Sequence, residues 1–84
     1  MKRIAILGST GSIGRQTVEI IAHYPDRFQV VALTAGRNTH LLAQQAEELK
    51  PELVVVDDPD SARELRGMLS NNIDVMAGTE GLLA

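Results

Sequence analysis

The chain contains a glycine-rich stretch, G-S-T-G-S-I-G over residues 8–14, which follows directly on the apolar run of residues 4–7. An apolar strand that passes through glycines into a helix is the arrangement of a nucleotide phosphate-binding turn at the start of a doubly wound α/β fold. A helix leaves unpaired N–H groups and a partial positive charge at its N-terminus, and both favour an anion. The stretch therefore predicts a phosphate site and a parallel sheet with helical connections.

Each of the three glycines has a predicted role. Gly8 ends the strand, where a Cβ atom would obstruct the tight turn. Gly11 lets the backbone approach a pyrophosphate, and Gly14 lets the new helix pack against the strand. The spacing differs from the commoner G-x-G-x-x-G, and glycines also collect in turns that bind nothing. The helical pattern that follows, and the second strand at the expected distance, favour nucleotide binding.

Composition restricts the class of protein. The sequence has 84 residues, which is one domain at most, and a net charge of −3. The negative charge argues against the basic patch that nucleic acids need. One Tyr and one Phe are too few for the aromatic platforms on which single-stranded nucleic acids stack. The sequence has no cysteine, as is typical of a protein in a reducing compartment. No apolar run approaches membrane-spanning length. We expect a cytoplasmic protein without nucleic-acid or membrane partners.

Strand and helix patterns alternate along the chain. Apolar runs predict strands at residues 3–7, 28–34, 53–56 and about 73–77, and periodicity predicts helices at about 12–23, 39–50 and 59–69. Unbroken apolar runs indicate strands covered on both faces. In the first helix Ile13, Thr17, Ile20 and Ile21 repeat at helical spacing, with Val18 beside them. Residues 79–84 resemble the first turn of a fourth helix, so we expect a piece of a longer protein.

The turn after the second strand predicts which nucleotide binds. A site for NAD usually carries an acidic residue about 20 residues beyond the glycines. This chain has Gly36, Arg37 and Asn38 there instead. An arginine can pair with a 2′-phosphate through two parallel hydrogen bonds, which an acid would repel. The sequence therefore favours NADP(H) over NAD(H), although Arg37 as an ordinary solvated charge is the alternative.

These motifs resemble the start of the 1-deoxy-D-xylulose 5-phosphate reductoisomerase family. The resemblance is carried by residues 8–14, by V-A-L-T-A-G-R-N at 31–38 and by G-T-E-G-L at 78–82, and it spans the whole sequence. It implies that residues 1–84 are the N-terminal portion of an NADP(H)-binding domain. The fold would be an incomplete Rossmann-like three-layer parallel sheet with about four strands and three helices, and the catalytic and C-terminal domains would lie outside this chain.

The resemblance implies an activity for the complete protein. The family isomerises 1-deoxy-D-xylulose 5-phosphate and reduces it with NADPH to 2-C-methyl-D-erythritol 4-phosphate, in non-mevalonate isoprenoid biosynthesis. It uses Mg²⁺ or Mn²⁺, held by an Asp-x-Glu pair and a further Glu that lie beyond this sequence. We therefore assign no catalytic or metal-binding residue here and expect the 84 residues to be inactive alone. The complete enzyme is expected to be a homodimer that binds a sugar phosphate.

The family's cofactor contacts carry over onto seven residues of this chain: Thr10, Gly11, Ser12, Ile13, Gly36, Arg37 and Asn38. Thr10 and Ser12 would donate to the pyrophosphate from hydroxyl and backbone groups. Arg37 and Asn38 would meet the 2′-phosphate and ribose. Arg37 stands where the family often has lysine, which keeps the charge and changes the geometry.

Other titratable residues have simpler interpretations. Asp57, Asp58 and Asp60 are close in sequence, and a helix cap explains them better than a metal site. His23 and His40 lie near helix ends without a nucleophile or ligand set, so we interpret both as surface residues.

Short connections predict the strand order. The third helix has about a dozen residues, so a right-handed return to the neighbouring position gives the order 4-3-2-1. Strand one is then an exposed edge, and the crevice on its outer side, which holds the nicotinamide half of a dinucleotide, is open. We expect the chain alone to offer the adenosine and phosphate half of the site, to bind NADPH weakly and to associate through strand one.

Two other classes of function remain open from the sequence. One is another NADP-dependent dehydrogenase, either an extended short-chain enzyme with a Tyr-x-x-x-Lys pair or an aspartate-semialdehyde dehydrogenase with a nucleophilic cysteine further along. The other is a non-enzymatic nucleotide-sensing module. Titration with oxidised and reduced cofactor separates a sensor from an enzyme domain.

Overall fold

A computed structural model of the chain describes residues 1–36, 38–69 and 72–78. These residues form alternating strands and helices: β1 (Lys2–Ile6), α1 (Ser12–Ala22), β2 (Phe28–Thr34), α2 (Thr39–Leu49), β3 (Leu53–Val56), α3 (Pro59–Met68) and β4 (Asp74–Ala77). The predicted α/β class is confirmed, and β2 and β3 have the predicted limits. The expected fourth helix at 79–84 lies outside the described residues.

The four strands of the described chain pair in the order β1-β2-β3-β4, and every pair is parallel. The predicted order is confirmed, and β1 is an edge of this sheet. The register shifts once, because Ile4 pairs with Val30 and Ala5 pairs with Ala32. Val31 is therefore an extra residue in β2.

The helices lie side by side on one face of the sheet. Helix α2 contacts both α1 and α3, and right-handed connections that advance in one direction keep their helices on the same side. The core between helices and sheet includes Ile6, Val18, Leu33, Leu42, Val54, Leu65 and Val75. The helices and the sheet are two layers of the predicted three-layer fold.

At β1 and β2 the other face of the sheet is only partly covered by residues 1–36, 38–69 and 72–78, whereas Val55 in β3 is buried. Ala5 is exposed, and Val31 and Ala32 are half-buried. The expectation that β1 is covered on both faces is therefore wrong for the described part of the chain. Its unbroken apolar run fits a buried strand, but the elements that the structure describes bury only one side of it.

The buried face of α1 differs from the apolar repeat seen in the sequence. Gly14, Val18 and Ile21 are buried, at the spacing of one helical stripe. Ile13 and Ile20 are 80% and 62% exposed. One residue corresponds to about 100° around a helix, so Ile13 and Ile20 lie to one side of the buried stripe, and Ile13 lines the groove beside β1. Ile21 and Val18 are buried, as the predicted repeat implies.

Side chains cap the starts of α2 and α3. Asn38 Oδ1 accepts from Leu41 N at 3.3 Å. Asp58 Oδ2 accepts from Ser61 N at 3.1 Å, and proline fills the first position of α3. Side chains thus satisfy N–H groups that a helix start otherwise leaves unpaired. In the described residues, no helix combines the length and apolar character required to cross a bilayer.

Candidate functional site

The turn between β1 and α1 is fixed by the neighbouring strand. Gly8 N donates to Thr34 Oγ1 at 3.0 Å, and Ser9 N donates to Thr34 O at 2.8 Å. Within the turn, Gly11 N donates to Gly8 O at 3.0 Å. Thr34 was not among the predicted site residues, because its contact with the turn joins positions that are distant in the sequence. It holds the turn at the carboxyl end of β2.

The structure corrects the reasons given for Gly8 and Gly14. A Cβ atom at Gly8 would meet nothing within 4 Å, but its φ of +67° is strained for other residues. A Cβ atom at Gly14 would lie 2.1 Å from Gly8 O and 2.7 Å from Ser9 Cα. Gly14 therefore lets α1 pack against the turn itself instead of the strand.

Gly11 differs from the other two glycines. Its φ of −77° and ψ of 174° suit any residue. A Cβ atom there would lie 3.4 Å from Gly8 O, and apart from the two chain neighbours no other described residue comes within 4 Å of it. A side chain at position 11 would therefore project from the exposed surface of the turn. Its role in the approach of a ligand stays a prediction.

The N-terminus of α1 has unpaired donors. Gly11 is the N-cap and supplies no side-chain hydrogen bond. The first bond of the helix runs from Arg15 N to Gly11 O at 2.8 Å. The N–H groups of Ser12, Ile13 and Gly14 form no hydrogen bond with another described residue. Such groups, reinforced by the helix dipole, bind phosphate oxygens well.

The end of β2 forms the second part of the site. A groove at the carboxyl ends of β2, β3 and β4 is lined by Gly8, Thr34, Gly36, Val56, Asp57 and Gly78, among others. Asn38 is exposed, and its amide nitrogen forms no hydrogen bond with another described residue. Arg37 lies outside the described residues, so its proposed contact remains a prediction.

Asp57 faces this groove, and the assignment of all three aspartates to a helix cap is wrong for it. Asp58 is the cap, and Asp60 pairs with Arg63 at 3.6 Å on the surface. The Asp57 N–H donates to Gly36 O at 3.2 Å, and its Oδ2 lies 3.4 Å from where a Cβ of Gly36 would stand. Its place at the end of a parallel strand was the available signal.

The outer side of β1 forms a third, open part of the site. A groove there is lined by Leu7, Gly11, Ser12, Ile13 and Thr17, among others. Leu7 is 73% exposed. This arrangement agrees with the prediction of an exposed edge at β1, next to the turn.

A buried polar contact supports the turn from α2. Gln45 Nε2 donates to Ser9 O at 2.7 Å, and both residues are buried. Gln45 Oε1 and Ser9 Oγ have no partner among the described residues. A buried polar atom without a partner costs about 1–3 kcal/mol. The contact joins residues 36 positions apart, and local sequence patterns do not indicate it.

The predicted site residues therefore form two groups. Thr10 and Gly11 in the turn lie next to Ser12 and Ile13 at the start of α1, and Gly36 and Asn38 follow the end of β2. His23 and His40 are exposed, and His23 Nδ1 lies 3.0 Å from Glu19 O. No three His, Asp or Glu side chains among the described residues are grouped as metal ligands.

The fold and the turn define a Rossmann-type α/β domain, with a glycine-rich connection at the start of its first helix. The sequence pattern of the 1-deoxy-D-xylulose 5-phosphate reductoisomerase family matches residues 4–84. The chain belongs to this family.

Proteins of similar sequence are named 1-deoxy-D-xylulose 5-phosphate reductoisomerase as well. The chain is 55% identical to the 1-deoxy-D-xylulose 5-phosphate reductoisomerase of Geobacter metallireducens over 100% of its own length, and 52% identical to that of Moorella thermoacetica over 99%. It spans 22% of the length of each relative. The two dehydrogenase types considered above as alternatives are not favoured by these matches.

Solved structures of the family share the fold. The reductoisomerase of Zymomonas mobilis in complex with NADPH is 36% identical, with a TM-score of 0.91 over 98% of this chain and 22% of that one. A DOX-P reductoisomerase in complex with NADPH, fosmidomycin and magnesium is 32% identical, with a TM-score of 0.89 over 99% of this chain and 21% of that one.

Proposed function

We propose that this chain is the NADPH-binding segment of a 1-deoxy-D-xylulose 5-phosphate reductoisomerase, and that residues 1–84 form the N-terminal portion of its NADP(H)-binding domain. The observation that carries the proposal is the uncapped start of α1, where three successive N–H groups have no partner among the described residues. The pyrophosphate binds there, with the backbone of Thr10, Gly11, Ser12 and Ile13 and the hydroxyls of Thr10 and Ser12 as donors.

The adenosine end of the cofactor lies at the carboxyl end of β2. Gly36 leaves space beside Asp57, and the amide nitrogen of Asn38, which has no partner among the described residues, is a donor for the ribose side. Arg37 pairs with the 2′-phosphate, which distinguishes NADPH from NADH. NADPH in two of the similar solved structures supports this choice of cofactor.

The complete protein converts 1-deoxy-D-xylulose 5-phosphate to 2-C-methyl-D-erythritol 4-phosphate with a hydride from NADPH. It requires Mg²⁺ or Mn²⁺, and magnesium in three of the similar solved structures supports this requirement. The metal ligands and the sugar-phosphate contacts lie outside this chain, and the enzyme works as a cytoplasmic homodimer. The part played by residues 1–84 is to bind and orient the cofactor.

Calorimetric titration of the complete protein with NADPH and NADH tests the proposal. We expect NADPH to bind at least tenfold more tightly, because each 1.4 kcal/mol of a charge-assisted phosphate contact is worth a factor of about ten. Equal affinities for the two cofactors would refute the contact between Arg37 and the 2′-phosphate. Absence of binding to either one would reject the function.

A further inference from the structure

Gln45 is a polar residue on the apolar face of α2. It is 5% exposed, and its neighbours Leu42 and Ala46 on that face are fully buried. Burial of an amide is unfavourable unless its polar atoms are paired, and Oε1 has no partner among the described residues. An apolar side chain of similar volume would suit the helix better. The glutamine is therefore explained by the group that it binds, because the Ser9 carbonyl needs a hydrogen-bond donor.

The hydrogen bond from Gln45 to Ser9 O fixes one peptide plane of the turn. None of the peptide bonds in the described residues is cis, and a trans peptide holds its C=O and N–H in opposite directions. Since the Ser9 carbonyl faces α2, the N–H of Thr10 points away from the core. That N–H forms no hydrogen bond with another described residue.

Ser9 has little freedom to adopt another orientation. It is fully buried, and its N–H is held by Thr34 O at 2.8 Å. Thr34 thus fixes the peptide that precedes Ser9, and Gln45 fixes the peptide that follows it. The two contacts come from different elements, β2 and α2, and both act on the backbone.

We propose that Gln45 is a positioning residue, which aims the Thr10 N–H at the pyrophosphate of the bound cofactor. This inference rests on the function proposed above, in which NADPH occupies the turn. Gln45 touches no cofactor atom, because it lies behind the turn and acts through the Ser9 carbonyl. Loss of its hydrogen bond frees the peptide between Ser9 and Thr10 to rotate, and the donor then no longer faces the phosphate.

The test uses Gln45→Met in the complete protein, with Gln44→Met as the matched control. Gln44 is the exposed neighbour in α2, so the same change of side chain is made outside the contact. Affinities are measured for NADPH and for adenosine 2′-phosphate, which has no pyrophosphate. We expect Gln45→Met to weaken NADPH about tenfold, the order of one misdirected hydrogen bond to a charged group, and to leave adenosine 2′-phosphate unchanged. The control should leave both affinities unchanged.

Several outcomes overturn the inference. Equal losses for the two ligands would show that Gln45 only stabilises the fold, and an unchanged NADPH affinity would show that the turn does not need it. If Gln45→Met does not fold, Gln45→Asn, with its amide one methylene closer to the helix, replaces it under the same two criteria. Failure of the unmodified protein to bind NADPH would reject the proposed function, and this inference with it.

Discussion

Gly11 at the N-cap and Gly14 in the first turn of α1 lie three residues apart, and the structure predicts opposite results for the same substitution. At Gly11 a Cβ has space and an unstrained backbone, so Gly11→Val should keep the melting temperature while NADPH binding is lost. At Gly14 a Cβ would overlap Gly8 O at 2.1 Å, so Gly14→Val should destabilise the fold by several kcal/mol.

Thermal melts followed by far-UV circular dichroism, together with NADPH titration, check this pair. Gly14→Val is the control for the loss of fold, since both variants add the same side chain near the start of α1. Collapse of both proteins would mean that Gly11 is needed only for the turn, and that its place beside a ligand is incidental.

Arg37 is predicted to decide which cofactor binds. Arg37→Ala should weaken NADPH by roughly 2–4 kcal/mol, the order of a lost charge-assisted pair, and leave NADH nearly unchanged. The matched control is Arg27→Ala, because Arg27 precedes β2 at its opposite end and its guanidinium lies 5.6 Å from the centre of the Tyr24 ring. Equilibrium titration with both cofactors is the measurement, and equal losses for the two would refute the 2′-phosphate contact.

At the scale of elements, the cap of α3 gives a prediction on stability. Asp58 accepts from Ser61 N at 3.1 Å and from Ser61 Oγ at 2.7 Å. Asp58→Ala should therefore lower the free energy of unfolding by about 1 kcal/mol. Asp60→Ala is the control, because Asp60 is exposed in the same turn, and it should change stability by about half as much or less. Urea unfolding measures both, and an equal loss would contradict the assignment of the cap.

The elements with strong local signals could be predicted from the sequence. The apolar run at 30–33 marks the position of β2, and an unbroken apolar run sets the limits of β3. The starts of α2 and α3 coincide with the capping residue Asn38 and with the Asp58-Pro59 pair. The contact of Gln45 with Ser9 could not be predicted, because it joins residues 36 positions apart. The exposure of Ile13 was missed for a related reason. A helical repeat shows which residues share a face, and tertiary structure decides whether that face is covered.

At the scale of the whole molecule, the free edge of β1 divides the cofactor site. Leu7 and Ile13 are exposed beside the turn, whereas the groove at the end of β2 lies within the described sheet. The 84-residue chain by itself should therefore bind adenosine 2′-phosphate about as well as the complete protein does, and bind NADPH much more weakly. Parallel titrations of the two proteins test this. Equal NADPH affinities would mean that residues beyond this chain add nothing to the site.

We propose that the start of α1 binds the pyrophosphate of NADPH. A crystal structure of the complete protein with NADPH tests this contact directly. We expect pyrophosphate oxygens within about 3.2 Å of the backbone nitrogens in the segment from Thr10 to Ile13, and the 2′-phosphate beside Arg37. A pyrophosphate bound elsewhere, with those N–H groups facing only solvent, would contradict it.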